Sequence, residues 1–200
     1  MKIEFKNNLL PVDGEAYFFP DFFTEQESLH YFNQLSSEVD WKQEPIIIFG
    51  KKVMQPRLTA WYSDDFLEYR YSGITMQGQY WSKALLEIKN KIEKLSGVTF
   101  TGALLNYYRD QKDSMGWHKD DEKELGINPI IGSVSFGASR TFKFQNIKEK
   151  QSQVSIDLTN GSFLLMRGRT QHCWKHSIPK RVASIGPRIN ITFRILKKLV

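Results

Sequence analysis

One cysteine, Cys173, stands in a chain of 200 residues, so no internal disulfide can form and a reducing compartment suits the protein. A lone thiol of this kind reads as a small buried apolar side chain. No apolar run approaches the roughly 18 residues that cross a bilayer, and MKIEFKNNLLPV lacks the pattern of a secretory leader. These absences lead to the expectation of a soluble monomer without a membrane partner, not secreted, cytoplasmic in a bacterium or nuclear in a eukaryote. No linker, repeat or low-complexity tract divides the chain, which predicts a single domain over residues 1–200. Acidic residues are outnumbered, 22 against 28 Lys and Arg, leaving a net charge of +6 and a pI near 9.3. That balance suits a polyanion such as nucleic acid, although many basic proteins bind none.

What is present divides into two textures. The first half carries two helical patterns. TEQESLHYFNQLSSEV opens with Thr24 and Glu27 at capping-box spacing and sets Leu29, Phe32 and Leu35 on one side. YWSKALLEIKNKIEKLSG places Trp81, Leu85, Ile88, Ile92 and Leu95 on a stripe and ends at Gly97, a C-cap residue. Between them runs an extended aromatic segment. From residue 100 onward, short β-type runs follow one another: TGALLNYYRD, IIGSVSFGA, RTFKFQN, QVSIDLTN, GSFLLMRG, CWKHSIP and RINITFRIL, with a turn at Asn160-Gly161. Many short strands beside two helices predict an α+β protein, a sandwich or jelly-roll whose helices support one sheet and whose barrel can enclose a ligand.

GWHKDDE concentrates charge around a histidine, either as a solvated loop or as part of a metal site. In extended chain, residues two apart point the same way, so His118 and Asp120 aim an imidazole and a carboxylate at one point. A third ligand must come from elsewhere. His30 lies on the first helical pattern, and its place is the helix surface. His172 and His176 lie four apart in QHCWKHSIP, so strand period alone does not choose between them. Two histidines and a carboxylate with open positions make the facial triad of non-haem Fe(II) oxygenases, although zinc hydrolases and chance also produce H-x-D…H.

The last strand adds a second part. In PRINITFRIL, Ile189, Ile191, Phe193 and Ile195 fall on one face, and Arg188, Asn190, Thr192 and Arg194 on the other. The polar set is either an exposed edge or an anion clamp, because guanidinium grips carboxylate through two parallel bonds. Asn106 and Tyr108 of ALLNYYRD share a similar polar face. A facial-triad iron needs an electron-donating co-substrate. 2-Oxoglutarate chelates metal at one end and needs a cation for its far carboxylate, so triad and clamp together are more specific than either part.

With NYY, WHKDDE, PIIGSVSFGASRTFKF, KHSIP and the closing R-x-N-x-T-F-R all present, the chain resembles the AlkB-like Fe(II)/2-oxoglutarate dioxygenases that repair alkylated nucleic acids. The likeness runs from about residue 45 to 195 and is strongest to the branch acting on double-stranded DNA. It implies a double-stranded β-helix (jelly-roll) core over about 100–196 and a nucleotide-recognition segment over about 45–75. It implies His118, Asp120 and His176 as iron ligands. Asn106, Tyr108, Arg188, Asn190, Thr192 and Arg194 would surround 2-oxoglutarate, with Arg188 on the distal carboxylate and Arg194 near iron. Fe(II), 2-oxoglutarate and O2 are the implied cofactor and co-substrates. The implied activity is oxidative demethylation of 1-methyladenine or 3-methylcytosine in DNA, double-stranded or single-stranded. An RNA demethylase, another 2-oxoglutarate oxygenase and a non-catalytic nucleic-acid-binding module are the alternatives.

The resemblance also assigns substrate residues. Ile48, Phe49 and Gly50 would form a finger that fills the gap left by a flipped base, with Lys51 and Lys52 near phosphates; on residues alone the segment reads as a core strand entering a basic turn. Tyr71 would stack the base against His118, Tyr69 would hydrogen-bond near it, and Glu122 would contact its edge. Arg57, Arg140, Lys175, Lys180 and Arg181 are candidate phosphate contacts. Lys119 and Asp121 alternate to the solvent side.

Overall fold

The computed structural model describes residues 5–48, 50–71 and 74–197, with the side chains of 47, 48, 66, 70, 71 and 74 outside that description. In chain order the elements are β1 (Glu15–Phe19), α1 (Glu25–Glu38), β2 (Pro45–Ile48), β3 (Lys51–Met54), β4 (Leu58–Ser63), β5 (Tyr69–Tyr71), β6 (Ile74–Met76) and α2 (Lys83–Ser96). The barrel strands follow: β7 (Gly102–Tyr108), β8 (Met115–His118), β9 (Ile131–Gly137), β10 (Arg140–Asn146), β11 (Gln153–Leu158), β12 (Ser162–Arg167), α3 (Thr170–Cys173), β13 (Trp174–Ile178) and β14 (Arg188–Arg194).

Six strands form a major sheet in the order β1-β12-β9-β14-β7-β4, and four form a minor sheet, β11-β10-β13-β8. Their pairings are antiparallel throughout. One apolar cluster fills the space between the sheets, built from Leu104, Phe144, Leu164 and Trp174 among others. A second lies between the outer face of the major sheet and the helices, around Leu35, Leu85, Ile88, Phe136 and Ile191. The layers are therefore helices, major sheet and minor sheet, the expected jelly-roll with two supporting helices.

The local signals explain most of this. Thr24 Oγ1 accepts the Glu27 N–H at 3.2 Å, and a Glu27 carboxylate oxygen accepts the Thr24 N–H at 2.7 Å, so the capping box closes. Thr24→Ala is expected to cost about 1 kcal/mol and lower the melting temperature by about 2–4 °C in a protein of this size, measured by circular dichroism. Gly97 ends α2 at φ 67°, where a Cβ would be strained. The apolar face of α1 differs from the expectation: Leu29 is 60% exposed, and Ser28, Tyr31 and Leu35 are buried. Ser28 and Leu35 lie nearly two full turns apart and so share a side, whereas Leu29 has rotated off it. Cys173 is half-buried rather than buried. No helix among the described residues is long and apolar enough to cross a membrane.

Candidate metal and dicarboxylate site

β14 explains why the polar set of the last strand is not an edge. The strand lies inside the major sheet, paired along its length with β7 on one side and β9 on the other. Its apolar face meets the helices, and its polar face looks into the barrel, where Arg188, Asn190, Thr192 and Arg194 are all buried. The register sets Asn190 opposite Asn106 of β7 and Ser135 of β9, and Arg188 opposite Tyr108. Asn106, Tyr108 and the four polar residues of β14 line one cavity together with His118, Asp120 and His176. The two halves of the expected site thus converge in one place.

The three metal-ligand candidates come from two neighbouring strands and a loop. His118 ends β8 and pairs directly with His176 on β13, with ring centroids 4.2 Å apart. Asp120 follows β8 by two residues, and one ligand atom of each of the three lies within 4.8 Å of the others. His172, the other late histidine, is exposed and points away, so the register settles what period left open. His118 Nδ1 lies 2.9 Å from the Gly116 carbonyl, to which it can only donate, leaving Nε2 free to coordinate. His176 Nδ1 is buried without a hydrogen-bond partner among the described residues. Burial lowers the pKa of both rings, and His176, facing also the His118 ring, falls to about 3. Neutral imidazoles result, the form a metal needs. Burial works to raise the pKa of Asp120, but Arg194 and the two histidines outweigh it and hold the carboxyl at about 2.

Arg194 and Arg188 do different work. Arg194 Nη2 donates to Asp120 Oδ1 at 3.0 Å in a pair whose side chains are 3% and 2% exposed. Its guanidinium lies over the Tyr69 ring at 5.2 Å, and Tyr69 stacks on Trp61 at 4.5 Å. Arg188 spends one N–H on Ser135 Oγ at 2.9 Å and lies 5.1 Å over the Tyr108 ring. Its Nε and Nη1 are buried without a partner among the described residues. Burial brings its pKa down to about 10, so it remains a cation at neutral pH. Leaving such donors unmade costs about 1–3 kcal/mol each or more, and an incoming carboxylate would satisfy both.

Other candidates fall in varied places. Arg57 is buried and donates from Nε to Asn106 Oδ1 at 2.7 Å, so it orients a cavity residue instead of facing phosphates. Arg140 is likewise buried, donating to the carbonyls of Asp110, Asp113 and Pro179. Arg140 lies on the inward face of β10 and Arg57 in the bend just before β4, and charge alone reveals neither burial. Lys175 is half-buried with its ammonium 5.3 Å over Trp117, while Lys180 and Arg181 are exposed. Tyr69 is fully buried beneath Arg194, and burial, helped by the Glu122 and Asp120 carboxyls, raises the pKa of its hydroxyl well above the ordinary value although Arg194 opposes the shift. Burial and the Asp120 charge raise Glu122 to about 7. Lys119 and Asp121 pair with each other on the solvent side.

The β2–β3 hairpin pairs Ile48 with Lys51 across a two-residue turn whose Gly50 takes φ 74°. All four residues of β3 are exposed, and on β2 Pro45 and Ile46 are half-buried. Phe49 lies outside the described residues, as do the side chains of Ile48 and Tyr71. Sequence reasoning missed Gln171, fully buried on α3, whose Oε1 accepts the Asp120 N–H at 3.0 Å. It missed Ser133 and Ser135 as well, which hold Asn190 and Arg188 in place.

Similarity to known proteins agrees with this geometry. Residues 15–194 match the 2OG-Fe(II) oxygenase superfamily. Human alkB homolog 3, an alpha-ketoglutarate-dependent dioxygenase, is 43% identical over 185 residues, covering 88% of this chain and 64% of that protein. Human ALKBH2, a DNA oxidative demethylase, is 36% identical over 182 residues, covering 86% of this chain and 70% of that protein. The chain thus spans slightly under two thirds of the homolog 3 proteins it matches. The solved structure of OsALKBH1 superposes with a TM-score of 0.66 over 90% of this chain and 97% of that one, and at 14% identity the likeness is one of fold. By matched length, by identity and by fold, the chain belongs to the 2OG-Fe(II) oxygenase superfamily, in its AlkB-like branch.

Proposed function

We propose that the chain is a single-domain Fe(II)/2-oxoglutarate-dependent oxygenase that removes methyl groups oxidatively from 1-methyladenine and 3-methylcytosine in DNA, with duplex favoured. The observation that carries this is one cavity holding both a two-histidine, one-carboxylate ligand set and a buried arginine with two unmet donors. The residues fit the family's metal and co-substrate: neutral imidazoles and an ionised carboxylate suit Fe(II), and Arg188 suits the far carboxylate of 2-oxoglutarate. When bound, that pair supplies O2 activation coupled to decarboxylation, so that succinate, CO2 and formaldehyde leave with the restored base.

The chain's own groups hold, orient and exclude. Arg194 occupies Asp120 Oδ1 and leaves the other oxygen for metal. Arg57 fixes the Asn106 amide, and Ser133 and Val134 fix that of Asn190. Phe142, Met166 and Leu104 keep the cavity wall apolar. Glu122, beside Asp120, offers a carboxyl to a methylated base whose ring carries positive charge. Tyr71 is assigned to stack that base and Phe49 to take its place in the helix, with Lys51 and Lys52 near phosphates. Support for the finger is the exposed strand β3 preceded by Gly50 at φ 74°.

Formaldehyde release from matched single- and double-stranded oligonucleotides bearing each methylated base tests the reading. Phe49→Ala is expected to lower duplex turnover about tenfold, the scale of one lost stacking contact, with single-strand turnover unchanged. Equal turnover of both substrates by the variant and the parent would remove the duplex preference. No formaldehyde from any oligonucleotide, despite succinate formation, would move the substrate away from nucleic acid.

A further inference from the structure

α3 is one turn long, yet it touches the metal-ligand loop at both ends. Thr170 anchors the turn. Its Oγ1 accepts the Glu15 N–H at 2.8 Å and lies 2.6 Å from the Arg167 carbonyl, tying α3 to β1 and to the end of β12. From this fixed base, Gln171 Oε1 accepts the Asp120 N–H at 3.0 Å. The next residue, His172, accepts the Asn128 N–H on Nε2 at 3.2 Å. The segment between Asp120 and Asn128 is therefore held at its start and at its finish by adjacent side chains. α3 then runs directly into β13, which presents His176.

We propose that Gln171 is a positioning residue for the metal centre, acting through the Asp120 backbone; this rests on the reading of His118, Asp120 and His176 as metal ligands. The Asp120 carboxylate has two claimants, Arg194 and the metal, and it serves both only if its Cα stays at a fixed height in the barrel. Side-chain bonds alone do not set that height, because a carboxylate can pivot about its own χ angles. The Gln171 bond does, since it grips the backbone N–H. Gln171 is fully buried, and among the described residues its Nε2 makes only a weak contact to Met166 Sδ at 3.6 Å. The amide thus gives its strong acceptor to the ligand residue. Without that acceptor the Asp120 N–H would be buried and unpaired, and the loop would relieve the strain by moving toward solvent with its carboxylate.

Cobalt(II), whose ligand-field absorption reports ligand number and geometry without turnover, provides the test. The parent protein should bind it and His176→Ala should not; failure of the parent to bind would sink the metal-site reading itself. Gln171→Met keeps length and bulk but loses the acceptor. It is expected to weaken cobalt binding about 10–100-fold, the usual range for a partner of a metal ligand, with a shifted absorption band. Gln171→Glu keeps an oxygen at the same reach and should restore the parent band. Parent affinity and an unshifted band in Gln171→Met would overturn the inference. If that variant does not fold, hydrogen exchange of the Asp120 amide in the metal-free parent decides. Slow exchange is expected, and exchange at the rate of an open loop would overturn it.

Discussion

Arg194→Met is expected to lower the melting temperature by about 6–20 °C. Breaking a buried ion pair from one side costs about 3–5 kcal/mol, and each kcal/mol is about 2–4 °C in a protein of this size. The buried-pair figure applies, and not the far smaller one for surface pairs, because both side chains are almost wholly buried. Removing Arg194 leaves the Asp120 charge against two neutral imidazoles and Glu122, and it also takes the cation off the Tyr69 ring. Arg194→Met with Asp120→Asn should recover much of the stability, since neither charge is then stranded, but it should not recover metal binding. A melting curve within a degree or two of the parent for the single variant would mean that burial already cancels the pair.

Arg188→Met should behave in the opposite way. Among the described residues Arg188 has no carboxylate partner, and two of its donors are unmet. Deleting it removes a buried cation that only Ser135 and the Tyr108 ring partly compensate among the described residues, so the melting temperature should hold or rise. The loss should appear instead in co-substrate binding. Truncating one partner of a buried charge pair costs about 2–5 kcal/mol, so the KM for 2-oxoglutarate should rise about 30-fold or more at saturating metal. Arg188→Lys should recover only part of this, because a point charge does not supply two parallel bonds. An unchanged KM would place the far carboxylate elsewhere. The two arginines share a strand face and a residue type, and calorimetry and kinetics should separate them.

That shared face was legible from the chain alone. A strand alternates strictly, so one glance at PRINITFR divides core from cavity, and the same rule placed Asn106 beside Tyr108. His118 with Asp120 was legible for the same reason. The rule stops where an element is too short to have a period. β1, β8 and α3 are five, four and four residues long, and α3 hid Gln171 completely. Burial of Arg57 and Arg140 was hidden for another reason. Charge predicts solvent, and only the neighbouring carbonyls and the Asn106 amide make a buried arginine affordable. Leu29 shows the limit of apolar pattern in a helix, where the small Ser28 and the aromatic Tyr31 took the inward side.

The place of β14 has a consequence for the order of assembly. It follows every other strand along the chain, yet it lies between β7 and β9 in the finished sheet. Until it enters, β7 with β4 and β9 with β12 and β1 are two separate fragments, each with an open edge. Arg188, with its two unmet donors, and Arg194, which pairs with Asp120, arrive on the same seven residues that join those fragments. A nascent chain therefore has no stage with a joined major sheet and a cavity that lacks the two arginines. Joining of the major sheet and delivery of both arginines to the cavity are one event, and a chain stalled before it holds His118, Asp120 and His176 without Arg188 and Arg194.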